Sequence, residues 1–94
     1  MPIELELPKR LKRNRWKVKI QEKETREPPH VSILRKTKKW RINLRTGEFL
    51  DKAPKPSEVP DELLALIRNS ETWRWLCEQW DRKYPGNPVA GNED

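Results

Sequence analysis

The sequence predicts an α+β domain: a three- to four-stranded antiparallel meander with two C-terminal helices packed on its apolar face. Three observations lead there. Trp16, Val18 and Ile20, and later Trp40, Ile42 and Leu44, alternate with basic residues at the period of a half-buried strand. The connections between these runs are short enough for antiparallel neighbours. Beyond Pro60 the apolar period changes to that of a helix, with Trp73, Leu76, Cys77, Trp80 and Tyr84 on one face. Strands first and helices last is the order of an α+β chain rather than of repeated βαβ units.

Residues 1–14 read as a basic N-terminal arm or edge strand. Ile3, Leu5 and Leu7 alternate with Glu4 and Glu6, but Pro2 and Pro8 bracket the run, and Lys9-Arg10-Leu11-Lys12-Arg13 follows as a cationic cluster. The plain reading of that cluster is a solvated, mobile arm; the sharper one is a phosphate-binding arm. Residues 15–84 form the single domain, opening on the strand Arg15 to Ile20. The polar run 21–27 reads as a loop, and Pro28-Pro29 then forces an extended approach, because each proline fixes its own φ and disfavours helix in the residue before it. His30 therefore begins a second strand, near a rim where a polar side chain stays wet, with Val31 and Ile33 facing one side and His30 and Ser32 the other.

Arg35-Lys36-Thr37-Lys38 has the length of a hairpin connection but no glycine, so its turn type is not legible. Lys39 to Leu44 is the third strand. Thr46-Gly47 supplies the glycine that a positive-φ turn needs, and Glu48-Phe49-Leu50 returns as a short fourth strand. Pro54 and Pro56 stiffen the link to a helix with Pro60 in its first turn, Asp61 and Glu62 at its positive end, and Ser57 as a candidate cap. Ser70 is the candidate cap of a second helix, which runs to about Lys83 before Tyr84-Pro85-Gly86 stops it. Residues 85–94 carry no pattern and read as a mobile tail.

Composition narrows the function classes. Only 33% of residues are hydrophobic while 38% are charged, so five tryptophans must supply much of the core. No run approaches the roughly 20 apolar residues of a membrane span, and the N-terminus lacks the order of a signal peptide, which makes a cytoplasmic protein the expectation. The single cysteine, Cys77, rules out an internal disulfide, and one histidine without cysteine support makes no recognisable metal set. No cofactor or metal is expected. Residues 1–50 hold 15 Lys/Arg against 6 Asp/Glu, whereas residues 51–94 hold 6 against 9, within a net charge of +6. One half of the chain seeks anions, be they nucleic acid or an acidic protein.

Pro28-Pro29-His30-Val31, then a strand ending in Thr46-Gly47-Glu48, then Leu50 and a proline-containing link into a helical segment closing on Trp80, resemble a small prokaryotic domain family of unknown function. Its hallmark is Pro-Pro-His-Val-His, and the likeness covers Arg15 to Trp80. Members are short proteins often encoded beside a second small protein and grouped with toxin–antitoxin components. The resemblance implies a small protein partner more strongly than a reaction. Ser32 stands where the hallmark has its second histidine, which puts any two-histidine chemistry in doubt for this chain.

The leading expectation is therefore a small basic component of a toxin–antitoxin-like module. It would engage an acidic partner or RNA through Arg15, Lys17, Lys19, Lys39, Arg41 and Arg45 on the wet sheet face. A general nucleic-acid-binding module is the alternative, RNA more than DNA. A third reading is a ribonuclease in which His30, with Glu27 and nearby cations, moves protons; the plainer role of His30 is a hydrogen bond where its strand begins. On a helical wheel Trp75 falls opposite Trp73, which marks it as a partner contact or as a seat for the N-terminal segment.

Overall fold

The computed structural model describes residues 3–20 and 28–89. The run 21–27, and Glu27 with it, lies outside the described residues, as does 90–94. The elements in chain order are β1 (Ile3–Glu4), α1 (Lys9–Arg13), β2 (Lys17–Ile20), β3 (His30–Arg35), β4 (Lys38–Asn43), a short 3-10 turn (Pro56–Glu58), α2 (Asp61–Arg68) and α3 (Ser70–Lys83). The sheet runs β1-β2-β3-β4, antiparallel throughout. The expected α+β meander with two C-terminal helices is the fold observed.

Register follows from the alternation. Val18 opposes Ile33 and Ile33 opposes Trp40, while Val31 opposes Ile42, so the apolar positions of three strands share one face. Leu63 and Ile67 of α2 and Leu76 and Trp80 of α3 join them in one buried cluster. Glu48-Phe49-Leu50 returns as expected, but as a single bridge between Ile42 and Phe49, flanked by Asn43 N–H to Glu48 O at 2.8 Å and Leu50 N–H to Arg41 O at 2.8 Å. Gly47 turns the chain there at φ 79°.

The arm before β2 departs from expectation. Lys9–Arg13 is a helical turn, and Leu7 and Leu11 sit 6% and 2% exposed in the core. Leu11 is the one apolar residue in the cationic cluster, and burying it is worth more than leaving the segment free in solvent. The helix ends in a Schellman motif: Trp16 N–H donates to Leu11 O and Arg15 N–H to Lys12 O, with Arg15 at φ 67°.

The caps also differ. Ser57 lies in the 3-10 turn, and Pro60 itself is the N-cap of α2, with no side-chain cap bond. Asn69, not Ser70, caps α3, its Oδ1 accepting from Glu71 N–H at 3.0 Å. Tail residues up to Val89 are anchored: Trp80 Nε1 donates to Asn87 O at 2.7 Å and Val89 N–H to Asp81 Oδ1 at 2.8 Å. Among the described residues no helix is long and apolar enough to cross a membrane.

Leu11→Ala should cost about 2–5 kcal/mol of unfolding free energy, the range for a buried leucine. Urea denaturation measures it; a change below about 0.5 kcal/mol, typical of a surface position, would mean that α1 is not part of the core.

Candidate nucleic-acid interface

Strand alternation places Lys17, Leu34 and Lys39 in one cross-strand row and Lys19, Ser32 and Arg41 in the next, with His30 beside Asn43 beyond them. This is the face expected to be wet. Along β3 it is not: His30 is 1% and Ser32 0% exposed, as enclosed as Val31 and Ile33. The neighbours explain it. Lys19 and Arg41 flank Ser32 with side chains only 22% and 24% exposed, their stems covering apolar and polar surface alike. Among the described residues the Ser32 hydroxyl has no hydrogen-bond partner.

His30 is likewise not on a wet rim. Its Nδ1 pairs with the Pro28 carbonyl at 2.9 Å, and its ring lies 5.5 Å from that of Trp80, which in turn packs at 4.3 Å on Tyr84. The proline-fixed approach supplies the carbonyl, and α3 supplies the indole. This arrangement holds the start of β3 against the helix layer, and it gives a phosphodiester no access to the imidazole.

The six basic residues named from the sequence separate into groups. Arg41 is bound bidentate to Asp51, Nε to Oδ2 at 2.8 Å and Nη2 to Oδ1 at 2.7 Å. Lys39 is half-buried beside it. Arg45 lies past the far end of β4, donating to the carbonyls of Val89 at 2.9 Å and Pro88 at 2.8 Å and to Asn87 Oδ1 at 3.2 Å. Only Arg15, Lys17 and Lys19 come together, at the β2 end of the sheet. Lys19 leans towards Glu4, its cross-strand neighbour, at 4.0 Å.

The structure adds two cations that the sequence reading passed over, Arg35 and Lys36, and brings Arg13 in from the cationic cluster of the arm. The β2–β3 ladder ends at Lys17 opposite Leu34, and just beyond it Arg35 and Lys36 come to the stretch that precedes β2. Arg35 lies 5.1 Å over the Trp16 ring and donates Nε–H to Asn14 O at 3.1 Å. One recess of about 280 Å³ is lined by Arg15, Lys17, Lys19, Leu34 and Lys36. A second, of about 260 Å³, is lined by Arg13, Asn14, Arg15, Arg35 and Lys36. Arg15 and Lys36 are common to both. Arg13, Arg15, Lys17 and Lys36 form no ion pair among the described residues.

Two local costs coincide on that shared pair. Arg15 at φ 67° and Lys36 at φ 55° are the two non-glycine residues with left-handed backbones among those described. Arg35 pairs with Lys38, so Lys36-Thr37 is a two-residue hairpin loop whose positive φ falls at its first central position, where a II′ turn favours glycine. Arg15 occupies the helix-terminating position that glycine also favours. Each conformation costs roughly 1–2 kcal/mol for a residue with a Cβ, and like charges lining the same recesses repel. A glycine-free turn beside a basic strand was the legible signal.

Trp75 is 36% exposed, the one exposed large hydrophobic residue among those described. Cys77 is half-buried, and burial, then Asp81 and Glu78, push its thiol pKa up.

The hydrogen bond from Arg41 holds Asp51 below its ordinary value of 3.8. The stabilisation is then complete above that value and is lost as pH falls through the lower, folded-state value. The stability difference between wild type and Asp51→Asn should therefore narrow as acid unfolding is followed below about pH 4. A difference that stays constant to pH 2 would show that the pair contributes nothing through ionisation.

Comparison with protein-family models, with curated proteins and with solved structures gives no match.

Proposed function

We propose that this chain binds nucleic-acid backbone, RNA above all, through the basic end of its sheet. Arg15 and Lys36 stand at the centre of that surface, flanked by Arg13, Lys17, Lys19 and Arg35. The observation that carries the reading is the pair of left-handed cations shared by two recesses. Departures from local preference concentrate where function demands them.

Polyanion chemistry fits this surface better than a protein interface does. A protein contact site has an apolar, aromatic core and few lysines. Here Leu34 is the only apolar side chain lining either recess. Trp16 and Trp40 are 4% and 1% exposed and cannot stack on bases from this side. Phosphate contacts without base stacking predict sequence-tolerant, steeply salt-dependent binding.

A second reading has its own observation. Trp75, exposed between Arg74 and Glu78 on α3, suits the protein partner that the family resemblance implies for a toxin–antitoxin-like module, on a surface separate from the RNA contacts. Trp75→Ser should then abolish copurification with the product of an adjacent small gene while leaving RNA binding intact. Unchanged copurification would remove Trp75 from the interface.

Arg15→Gly and Lys36→Gly test the main reading and separate it from stability. Glycine relieves the backbone at both positions, so each variant should be as stable as wild type or more stable by up to about 1 kcal/mol. RNA affinity should nonetheless fall, and the slope of log K against log salt should shrink by about 0.7 per side chain removed. Salt-titrated filter binding with the double variant at wild-type affinity and slope would overturn the proposal. So would an absence of RNA binding by the wild-type chain at low salt, with retention of an acidic protein in its place.

A further inference from the structure

A recess of about 430 Å³, away from the basic end, is lined by Arg45, Thr46, Gly47, Arg68 and Trp73. Its volume falls within the usual range for small-ligand sites, about 300–1,000 Å³. The turn after β4 forms one side and the junction of α2 with α3 the other. Arg68, the last residue of α2, donates Nη2–H to Gly47 O at 2.9 Å and so fixes the turn to the helix pair. A Cβ built on Gly47 would meet nothing within 4 Å, which leaves that side of the recess open.

Both guanidinium groups bond only neutral oxygens. Arg45 holds the Pro88 and Val89 carbonyls and the Asn87 amide, Arg68 holds the Gly47 carbonyl, and neither is in an ion pair among the described residues. Their charges are therefore positioned but not neutralised. Trp73 is half-buried, packed against the core along part of its ring while also lining the recess. Two fixed cations next to an accessible indole match a planar ring that carries an anionic group: a nucleobase for the indole and its phosphate for the arginines.

We propose that this recess binds one unstacked nucleotide, the base against Trp73 and the phosphate between Arg45 and Arg68. The inference rests on the RNA reading for its physiological ligand, and it names what that reading lacks, a place where a base rather than the backbone is held. Lys36 and Arg45 lie at opposite ends of β4, so the two surfaces meet a single strand at separate points. Two linked contacts raise affinity without either being strong.

The experiment titrates adenosine 5′-monophosphate, adenosine and inorganic phosphate separately into the wild-type chain, following the Trp73 indole N–H and the Thr46 and Gly47 amides by two-dimensional NMR. The monophosphate should shift all three and saturate, with adenosine and phosphate each at least about tenfold weaker. Arg68→Gln and Trp73→Phe should each weaken the monophosphate about tenfold or more, and Arg45→Gln provides a second cation variant should Arg68→Gln loosen the turn. Inorganic phosphate matching the monophosphate, or a Trp73 signal unmoved at about 10 mM ligand, would overturn the proposal. The Arg15→Gly/Lys36→Gly chain separates the two readings. Retained monophosphate binding there with lost RNA binding supports both, and monophosphate binding without any RNA binding by the wild type defeats only the backbone reading. Loss of monophosphate binding in that chain would place the nucleotide at the basic end and overturn the site at Trp73.

Discussion

Burial of Trp16 is the constraint on which the basic end depends. The ring sits 4% exposed, 5.5 Å from Trp40, with Arg35 lying over it. To bring it there directly after α1, the chain must reverse within one residue, and the Schellman geometry does so by placing Arg15 in the left-handed region. Trp16 leads directly into β2, whose pairing with β3 brings Arg15 and Lys36 to the same two recesses. Hydrophobic packing thus determines where the charges stand, while the identity of the charged residues is left free. Glycine would satisfy the backbone at both positions better than arginine and lysine do.

The strands and helices were legible because their apolar periods are unambiguous: Trp16-Val18-Ile20 and Trp40-Ile42-Leu44 by twos, and Leu76 and Trp80 by a helical turn. The site was only partly so. Lys17 and Lys19 are consecutive outward positions on β2, and alternation groups them, whereas Arg15, expected to open that strand, joins them from the left-handed turn before it. Lys36 and Arg13 join them through the β2–β3 register and a helix of five residues, and neither can be read without knowing which residues pair. His30 and Ser32 were misread for a related reason. Alternation correctly assigns them to the face opposite Val31, but it carries no information about the long side chains of neighbouring strands that enclose that face, or about Trp80, 50 residues away in sequence.

Trp80 plays at the other end of the sheet the part that Trp16 plays at the first. Fully buried, it touches His30 and Tyr84 and bonds the Asn87 carbonyl, so it joins β3, α3 and the C-terminal segment. Asn87, Pro88 and Val89 are then presented to Arg45, which explains why that residue leaves the sheet-face group. The proline pair before His30 belongs to the same arrangement, since it delivers the Pro28 carbonyl to the imidazole. A histidine in this position packs on Trp80 and bonds the Pro28 carbonyl, so it joins the start of β3 to α3.

The distribution of carboxylates decides which of the many cations can act on a partner. Arg10 is paired with Glu62, Lys12 with Glu6, Lys38 with Glu58 and Arg41 with Asp51. Three of these four acids come from beyond residue 50, so the acidic half of the chain folds back on the basic half and neutralises it selectively. The neutralised positions lie on the helix side of α1, at the foot of β4 and beside the Phe49 bridge. Arg13, Arg15, Lys17 and Lys36 receive no carboxylate among the described residues, although they alternate in sequence or space with cations that do. A surface that existed only for solubility would gain from mixing both signs. One sign is left unmixed at the place where two residues also hold unfavourable backbone conformations, and the proposal of an anionic ligand rests on that coincidence.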